Sequence, residues 1–246
     1  MEKTRGREHF ESLYKKNLEL TKKQVKESVN EDSFIAHAIG NVGELDKAIN
    51  LLSKRLREWY ALYNPEMERE TGEHEKLVQA VLENKGKREK NSMGAEISSG
   101  DLSQIMLLAG QIKELYDLRK KHESYLEEIM KKHCPNMLEV AGVLISAKLL
   151  EHAGSLRRLM MMPASTIQIL GAEKALFRHL KTGKKAKPPK YGILSQHPLI
   201  GKVKKEEYGK VARTLADKIS IAVKVDYFKG KFIGDKLKEE LEKKFQ

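Results

Sequence analysis

The stretch IAHAIGNVGELDKAINLLSKRLREWYALY, from Ile35 to Tyr63, decides the fold of the chain. Its apolar residues recur at alternating steps of three and four, the heptad pattern of a helix that packs on another helix. These positions are Ile35, Ala38, Val42, Leu45, Ile49, Leu52, Leu56, Trp59 and Tyr63. A helix of this length spans about 40 Å at ~1.5 Å per residue. Because a small globular core cannot cover so long and narrow a stripe, the sequence predicts a helical partner.

The predicted partner is the segment from residue 102 to residue 132, where apolar residues keep the same spacing. They are Ile105, Leu108, Ile112, Leu115, Leu126 and Ile129. Arg119 and His122 interrupt the pattern, and a register shift that uses Leu118 and Tyr125 instead is the alternative. Two long helices of comparable length, joined by an excursion of the chain, predict an antiparallel coiled-coil hairpin.

Two such hairpins are expected to pair as a homodimer in a four-helix arrangement. We assign the dimer contact to apolar residues of the two heptad rows. They are Val42, Leu45, Ile49, Leu52, Leu56, Ile105, Leu108, Ile112 and Leu115.

Breaks in the helical pattern organise the rest of the chain. Asn64-Pro65 ends the first arm, residues 66–83 predict a shorter helix, and Asn84 to Asp101 is a connection expected to be poorly ordered. The segment His133 to Asn136 ends the second arm, because proline cannot continue a helix. The predicted divisions are a helical linker remnant at 1–30, a coiled-coil dimerisation domain at 31–135 and a second domain at 136–246.

The second domain is predicted to be mostly helical, because no strands alternate with helices in it. Gly171 opens the helix GAEKALFRHL, and further helices are predicted from Glu206 to Val225 and from Asp235 to Phe245. The short stretch STIQIL after Pro163 is assigned to extended structure. The fold class expected for the whole chain is therefore all-α.

The charge of the chain is divided between its two halves. The formal net charge is +12, yet residues 1–139 carry 24 Lys and Arg against 25 Asp and Glu. Residues 140–246 carry 23 against 10, and the stretch from Lys174 to Lys205 holds ten Lys or Arg without an acidic residue. An excess of this kind favours polyanionic partners, and this stretch is where a phosphate backbone is expected to lie.

Several classes of protein are disfavoured by what the sequence lacks. It contains no GxxxxGK[ST], GxGxxG, GxSxG or HExxH motif and no pair of CxxC motifs, so we expect no catalytic site. No apolar run approaches the roughly 20 residues of a membrane-spanning helix. The single cysteine, Cys134, has no partner for an intramolecular disulfide and lacks the spaced ligands of a zinc site. A binding protein is therefore favoured over an enzyme.

The helix that follows Gly171 is the sharpest functional signal. Lys174, Arg178 and Lys181 are spaced four and three apart and share one face, while Leu176 or Phe177 and Leu180 are expected to turn into the domain. The start of the helix offers free amide groups to an anion. An ordinary solvated face is the alternative for these cations.

The segment after the helix adds aromatic and amide groups to the cations. The basic loop KTGKKAKPPKYG leads into YGILSQHPLI, from Tyr191 to Ile200. Its side chains Tyr191, Gln196 and His197 are of the types that contact unpaired RNA bases. For His197, a capping role before Pro198 is the equally weighted alternative.

Several long motifs in the correct order resemble those of the Nop-domain family. They are LREWY (Leu56 to Tyr60), SLRRLMMMPASTIQILG (Ser155 to Gly171), GAEKALFRHLKTG (Gly171 to Gly183) and PKYGILSQHPLI (Pro189 to Ile200). This family includes the archaeal core proteins of box C/D guide ribonucleoproteins and the nucleolar Nop fifty-six and fifty-eight proteins. The resemblance covers roughly residue 30 to the C-terminus, and it implies that the second domain is a helical Nop domain.

The resemblance implies a non-catalytic scaffold. Members of the family bind the kink-turn of box C/D RNA together with a small ribosomal-protein-like kink-turn protein, and they self-associate through the coiled coil. An additional N-terminal domain docks fibrillarin, which uses S-adenosylmethionine for 2′-O-methylation of ribosomal and transfer RNA. No cofactor or metal is expected in the present chain.

The resemblance also bears on the extent of the chain and on its location. About thirty residues precede the hairpin, too few for the fibrillarin-binding domain, so we expect a fragment of a longer protein. The expected location is the cytoplasm of an archaeal cell, or the nucleolus if the source is eukaryotic.

By match to the family motifs, and by the charge pattern, one set of residues is expected to bind RNA. It comprises Gly171, Ala172, Glu173, Lys174, Phe177, Arg178, Lys181, Lys184, Lys185, Lys187, Lys190, Gln196 and His197. Two alternatives are a spliceosomal relative that binds small nuclear RNA and a structural coiled-coil protein whose basic end docks on acidic partners or duplex DNA.

Overall fold

A computed structural model describes residues 2–84 and 92–245, without the side chains of residues 2–8 and Lys184. Within these residues it contains helices and no β-strand, so the all-α prediction is confirmed. Residues 85–91 of the connection expected to be poorly ordered lie outside the described residues. The helices are α1 (Glu2–Ser28), α2 (Glu31–Ala61), α3 (Pro65–Glu70), α4 (His74–Glu83), α5 (Ser99–His133), α6 (Pro135–Ala141), α7 (Val143–Ala153), α8 (Leu156–Met161), α9 (Ala164–Ile169), α10 (Glu173–Thr182), α11 (Pro198–Lys202), α12 (Tyr208–Tyr227) and α13 (Gly234–Phe245).

The two long helices α2 and α5 pack antiparallel as a hairpin. Asp32 at the start of α2 pairs with His133 at the end of α5, and Asp46 pairs with Arg119 one-third of the way back along α5. The side chain of Asn30 caps α2 by accepting a hydrogen bond from the Ser33 N–H at 3.2 Å. Ser98 caps α5 in the same way through the Asp101 N–H at 3.1 Å. Both long helices therefore begin directly after a residue whose side chain caps the first turn.

The outer part of the hairpin has its own hydrophobic core. Ile49 and Leu56 of α2 are buried against Ile105 and Ile112 of α5. The short helix α4 adds Leu77, Val78 and Val81 to the same core. Residues 66–83 therefore form two helices, α3 and α4, rather than the single helix that was predicted.

The predicted dimer residues fall into two groups in this hairpin. Five are buried between the helices of one chain: Val42, Ile49, Leu56, Ile105 and Ile112. The other four are half-buried: Leu45, Leu52, Leu108 and Leu115. Only the second group keeps surface that another copy can cover, and the homodimer itself stays a prediction.

Arg119 does not cause the predicted shift of register. Leu118 and Tyr125 are 43% and 42% exposed, while Leu126 and Met130 continue the buried row. Arg119 stays in the seam because its guanidinium bonds Asp46 and also bonds Glu123 at 2.9 Å. An ion pair thus takes the place of an apolar contact, which the spacing of apolar residues cannot reveal.

The C-terminal half is built around α12. One side of this helix is buried under α6, α8, α9 and α13, with Leu215, Ile219 and Val223 at the centre of the core. The core is continuous with the base of the hairpin, where Ile35 and Met130 belong to the same cluster. The predicted boundary near residue 135 lies within this continuous core, and the division into domains stays a prediction.

The assignment of STIQIL to extended structure is wrong. Residues Ala164–Ile169 form the helix α9, with Ile167 buried in the core. The helix follows Pro163 and packs on α12. No strand of the described chain lies beside it to complete a sheet, so its backbone groups bond within a helical turn instead.

Two carboxylates, the partly buried Asp32 and the buried Asp226, join the hairpin to the C-terminal half. Asp32 accepts the N–H of Leu156 at 3.0 Å and pairs with the His133 Nε2 at 2.7 Å. Asp226 accepts the backbone N–H groups of Asn136 and Met137 at 3.0 and 2.8 Å. Burial raises the pKa of Asp226, and these hydrogen bonds oppose the rise. Each carboxylate satisfies amide donors at the start of a helix, so its loss would leave them unpaired.

The Asp32–His133 pair predicts a pH dependence. The hydrogen bond to Asp32 raises the pKa of His133, so the charged pair stabilises the fold fully below the ordinary histidine pKa of ~6.5. This stabilisation is lost as the pH rises through the raised value. In urea unfolding from pH 6 to 9, the gap in unfolding free energy between the chain and H133Q is expected to narrow with rising pH.

The exposed histidine His37 on α2 provides the control, because H37Q removes an imidazole that forms no ion pair in the described structure. H37Q is expected to follow the unaltered chain at every pH. A constant gap for H133Q over the whole range would contradict the assigned pair.

Candidate nucleic-acid interface

Helix α10 carries the predicted RNA-binding cations and has no buried residue. Lys174, Arg178 and Lys181 are exposed along one face. At its start, the Oε1 atom of Glu173 accepts the Gly171 N–H at 2.6 Å. Burial opposes ionisation of Glu173, but this hydrogen bond, a further backbone hydrogen bond and the nearby His152 together lower the pKa of the carboxyl. Glu173 therefore uses its charge to fix the helix start, and the cations beyond it remain uncompensated.

The inward orientation predicted for the apolar side of α10 is wrong. Phe177 and Leu180 are each 66% exposed, and Leu176 is half-buried. No residue of the helix belongs to a core cluster, so both its cations and Phe177 and Leu180 stay exposed. A sequence pattern shows that a helix has two faces, but it cannot show which neighbour covers them.

The basic loop after α10 is held back against the domain. The His179 ring lies 2.5 Å from the Ala186 carbonyl oxygen, and Gln168 donates to the Lys190 carbonyl at 2.6 Å. Lys185, Lys187 and Lys190 are exposed, while the side chain of Lys184 lies outside the described part of the chain.

The exposed cations of this segment form no internal ion pairs. Those described are Lys174, Arg178, Lys181, Lys185, Lys187, Lys190, Lys202, Lys204 and Lys205. No carboxylate of the described residues lies within 4.0 Å of any of these nine side chains. Ordinary solvated surfaces mix both signs, so this surface is suited to a polyanion.

Two glycines bring the predicted motifs together. Gly171 has φ +85°, and a Cβ atom there would lie 2.5 Å from the Ile193 Cγ1. A Cβ atom on Gly192 would lie 1.9 Å from the Leu170 carbonyl oxygen. The Ile193 N–H donates to that same carbonyl at 2.8 Å. The start of α10 and the segment that holds Gln196 and His197 therefore pack backbone to backbone.

His197 has the capping role that was the alternative to base contact. Its Nδ1 accepts the Leu199 N–H at 3.3 Å, so Nε2 carries the proton and donates to the Val140 carbonyl at 3.3 Å. Burial lowers the pKa of His197, against the effect of the Val140 contact. Both ring nitrogens are thus used within the fold. The residue positions the segment, while Gln196 beside it is exposed.

Lys148 joins this site although the motif analysis missed it. Its Nζ donates to the Gln196 Oε1 at 2.8 Å and orients the amide. The signal in the sequence was a single cation within the apolar helix VLISAKLLEHA. A lone lysine in such a helix is often a side chain with a defined partner.

Comparison with known proteins matches this architecture to a family. The family model described as Nop, snoRNA binding domain, fibrillarin, matches residues 42–246. The chain belongs to the Nop family. A NOP5 family protein of Methanocaldococcus jannaschii is 42% identical to it over 252 aligned residues, covering 93% of the chain and 60% of that protein.

Eukaryotic relatives and a solved structure agree with this Nop assignment. Nucleolar protein 58 of Schizosaccharomyces pombe is 38% identical over 79% of the chain and 42% of its own length. The Nop chain thus spans 60% or less of these curated relatives. A crystal structure of a fibrillarin/Nop5p complex superposes with a TM-score of 0.58 at 30% identity, covering 98% of this chain and 79% of that one.

The described residues of the Nop chain show neither a membrane-spanning helix nor a metal-ligand cluster. No helix among them is both long enough and apolar enough to cross a membrane. No group of three His, Cys, Asp or Glu side chains among them is placed to hold a metal ion.

The close approach at Gly171 predicts a destabilised variant. G171A places a Cβ atom against Ile193 in a left-handed backbone conformation, and we expect a loss of about 2 kcal/mol of unfolding free energy in urea. Gly110 in α5 has open space around its Cα, so G110A is the control. That variant is expected to gain up to about 1 kcal/mol. Equal effects at both positions would contradict the described packing.

Proposed function

We propose that this Nop chain is a non-catalytic scaffold of a box C/D ribonucleoprotein that binds guide RNA through α10 and the basic loop after it. The observation that supports this proposal most directly is the set of nine exposed cations without a carboxylate partner among the described residues. Phosphate contacts from such cations give affinity and fix the position of the RNA. Gln196 and the amide groups at the start of α10 are the candidates for contacts beyond phosphate.

A kink-turn-binding protein is the second proposed partner. Phe177 and Leu180 leave an apolar face on the same helix as Lys174 and Lys181. An apolar face is costly to leave in water and contributes nothing to phosphate binding. We therefore infer a composite surface in which RNA lies on the cationic side of α10 and the kink-turn protein covers the apolar side.

The enzymatic role belongs in this proposal to a partner. Fibrillarin, named in the solved complex of the Nop relative, would bind S-adenosylmethionine and methylate ribose 2′-hydroxyl groups of ribosomal and transfer RNA. The present chain would hold the guide RNA that selects the target, and no cofactor is assigned to it. The relatives named nucleolar proteins support a nucleolar location for a eukaryotic source, and an archaeal source would place it in the cytoplasm.

The RNA proposal is tested by removing the cations of α10. With box C/D RNA already loaded with its kink-turn protein, the variant K174A/R178A/K181A is expected to bind at least about tenfold more weakly at low salt. The slope of log affinity against log salt should fall by about 1 for each lost phosphate contact. Filter binding at several salt concentrations measures both quantities.

The matched control is K22A/K113A/K121A, which removes three exposed helical cations that form no ion pair in the described structure. An α10 variant that binds no worse than this control would contradict the proposed interface. Competition by duplex DNA as strong as that by kink-turn RNA would favour a general polyanion-binding protein instead.

Self-association of the hairpin is proposed through its half-buried leucines. Substituting Leu52 and Leu108 by Glu places charge where surface remains, without changing the fully buried Ile49 or Ile105. We expect L52E/L108E to sediment as a monomer with its helical content preserved. The control N50E/Q104E adds the same charge at exposed positions and should remain dimeric. A dimer of unchanged stability in L52E/L108E would contradict this placement.

A further inference from the structure

A cleft of about 960 Å³ lies where the base of the hairpin meets the C-terminal half. Lys132 near the end of α5, Arg157 of α8 and Lys229 after α12 line it together with Tyr227 and Phe232. This cleft is separate from the interface on α10. The basic loop touches the first turn of α12, where Lys190 lies beside Gly209, whereas Lys229 follows its last turn. The intervening helix of 20 residues is about 30 Å long.

The carboxylates that line the cleft are largely engaged in holding the fold. The oxygens of Asp32 bond Leu156 and His133, and those of Asp226 bond Asn136 and Met137. Glu31 also lines the cleft and is exposed.

The cations of the cleft have no such partners. Lys132, Arg157 and Lys229 are exposed, and none of the three pairs with a carboxylate among the described residues. These three cations offer local contacts to the phosphates of an anionic ligand, while Glu31, Asp32 and Asp226 in the same lining balance their formal charge.

The backbone at Lys229 is unusual for a lysine. Its φ is +50°, the one positive value that the described non-glycine residues show. Helix α12 ends here with the Gly230 N–H donating to the Val225 carbonyl at 2.8 Å. A glycine normally occupies the left-handed position at such a helix end, and here the glycine comes one residue later. A glycine at position 229 would be more stable in this backbone conformation than a lysine. The strained conformation of Lys229 therefore points to a use for its side chain, which lines the cleft.

Aromatic rings lie beside these cations. Phe232 is 50% exposed on the cleft wall, and the adjacent Phe228 is 71% exposed. The Tyr227 ring packs edge to face on Phe228 at 5.2 Å between centroids. Exposed aromatic faces next to cations bind unpaired nucleotides, since bases stack on the rings while cations contact the phosphates.

We propose that this cleft is a second RNA-binding site, which takes a single-stranded segment. Lys132, Arg157 and Lys229 contact its phosphates, and a base stacks on Phe232. This inference rests on the proposed function, because it extends RNA binding from α10 to a site at the other end of α12. A ribonucleoprotein RNA has unpaired segments beyond its folded motif, and a second contact on the same chain raises their local concentration at the protein.

The test uses fluorescein-labelled decauridylate, an unstructured RNA strand, in anisotropy titrations of the full chain. The cleft variant K132Q/R157Q/K229G is expected to bind about tenfold more weakly at low salt. Its salt slope should fall by about 2, because each phosphate contact to a single strand contributes about 0.7. The variant K22Q/K113Q/K121Q, with the same loss of charge at exposed positions, is expected to bind like the unaltered chain.

Two single variants keep the test independent of misfolding. K229G removes the cation where the backbone favours glycine, so its thermal midpoint by circular dichroism should equal or exceed that of the unaltered chain while decauridylate affinity falls. F232L keeps an apolar side chain but removes the stacking face, and a loss of about tenfold is expected. Unchanged affinity in both variants overturns the proposal.

The outcomes also separate this site from the interface on α10. If the cleft variant binds decauridylate like its control while K174A/R178A/K181A loses box C/D RNA, the second site falls and the proposed function stands. If instead the cleft variant loses decauridylate affinity while K174A/R178A/K181A binds box C/D RNA like its control, the proposed function is contradicted and the second site stands. Free uridine monophosphate is added as a competitor of labelled decauridylate. If it competes as well as unlabelled decauridylate at equal nucleotide concentration, the cleft is a mononucleotide pocket and the assignment to a strand is overturned.

Discussion

The architecture depends on two carboxylates that connect five helices, α2, α5, α6, α8 and α12. Asp32 joins the end of α5 to the start of α8, and Asp226 joins the end of α12 to the start of α6. Asn136 extends the second contact by accepting the Ile233 N–H at 2.6 Å. Backbone N–H groups at a helix start have no partner within their own helix, so a buried carboxylate satisfies them and is itself stabilised. Without these contacts the hydrophobic core that joins the hairpin to the C-terminal half would surround unpaired amides.

This arrangement does not need α10 for the core. The packing of α12 against α6, α8, α9 and α13 fills the core without it, and α10 has no buried residue. The helix is positioned by its start, through the tight backbone contact of Gly171 and Gly192 with their neighbours. A binding helix fixed at one end presents its cations in a defined place at little cost to the stability of the core.

The sequence predicted those features that periodicity and charge encode, and it failed where a specific partner decides the outcome. The heptad rows predicted that α2 and α5 pair, because such a stripe requires a second helix. Arg119 was misjudged because its partner Asp46 lies 73 residues away along the chain. Phe177 carried two expectations, a turn into the domain as the alternative to Leu176 and a place in the RNA-binding set. Its exposure contradicts the first, because no element of the described chain covers it. For His197 the structure shows the contacts of the capping role, with Nε2 3.3 Å from the Val140 carbonyl oxygen, while its contact with RNA stays a prediction. The position of that carbonyl is not encoded in the local sequence.

The division of charge between the two halves has a physical consequence for where binding occurs. In the hairpin, some of the cations pair with carboxylates of the same chain: Arg57 bonds Glu68 at 2.6 Å, and Lys120 bonds Glu75 at 2.9 Å. Residues 1–139 also carry nearly equal numbers of basic and acidic residues, so this half has little excess charge. The stretch from Lys174 to Lys205 contains no Asp or Glu that could offset its positive charge, so its cations repel one another in the free chain. That repulsion does not help folding, and a bound polyanion relieves it. The unfavourable interaction in the free protein thus becomes part of the driving force for binding.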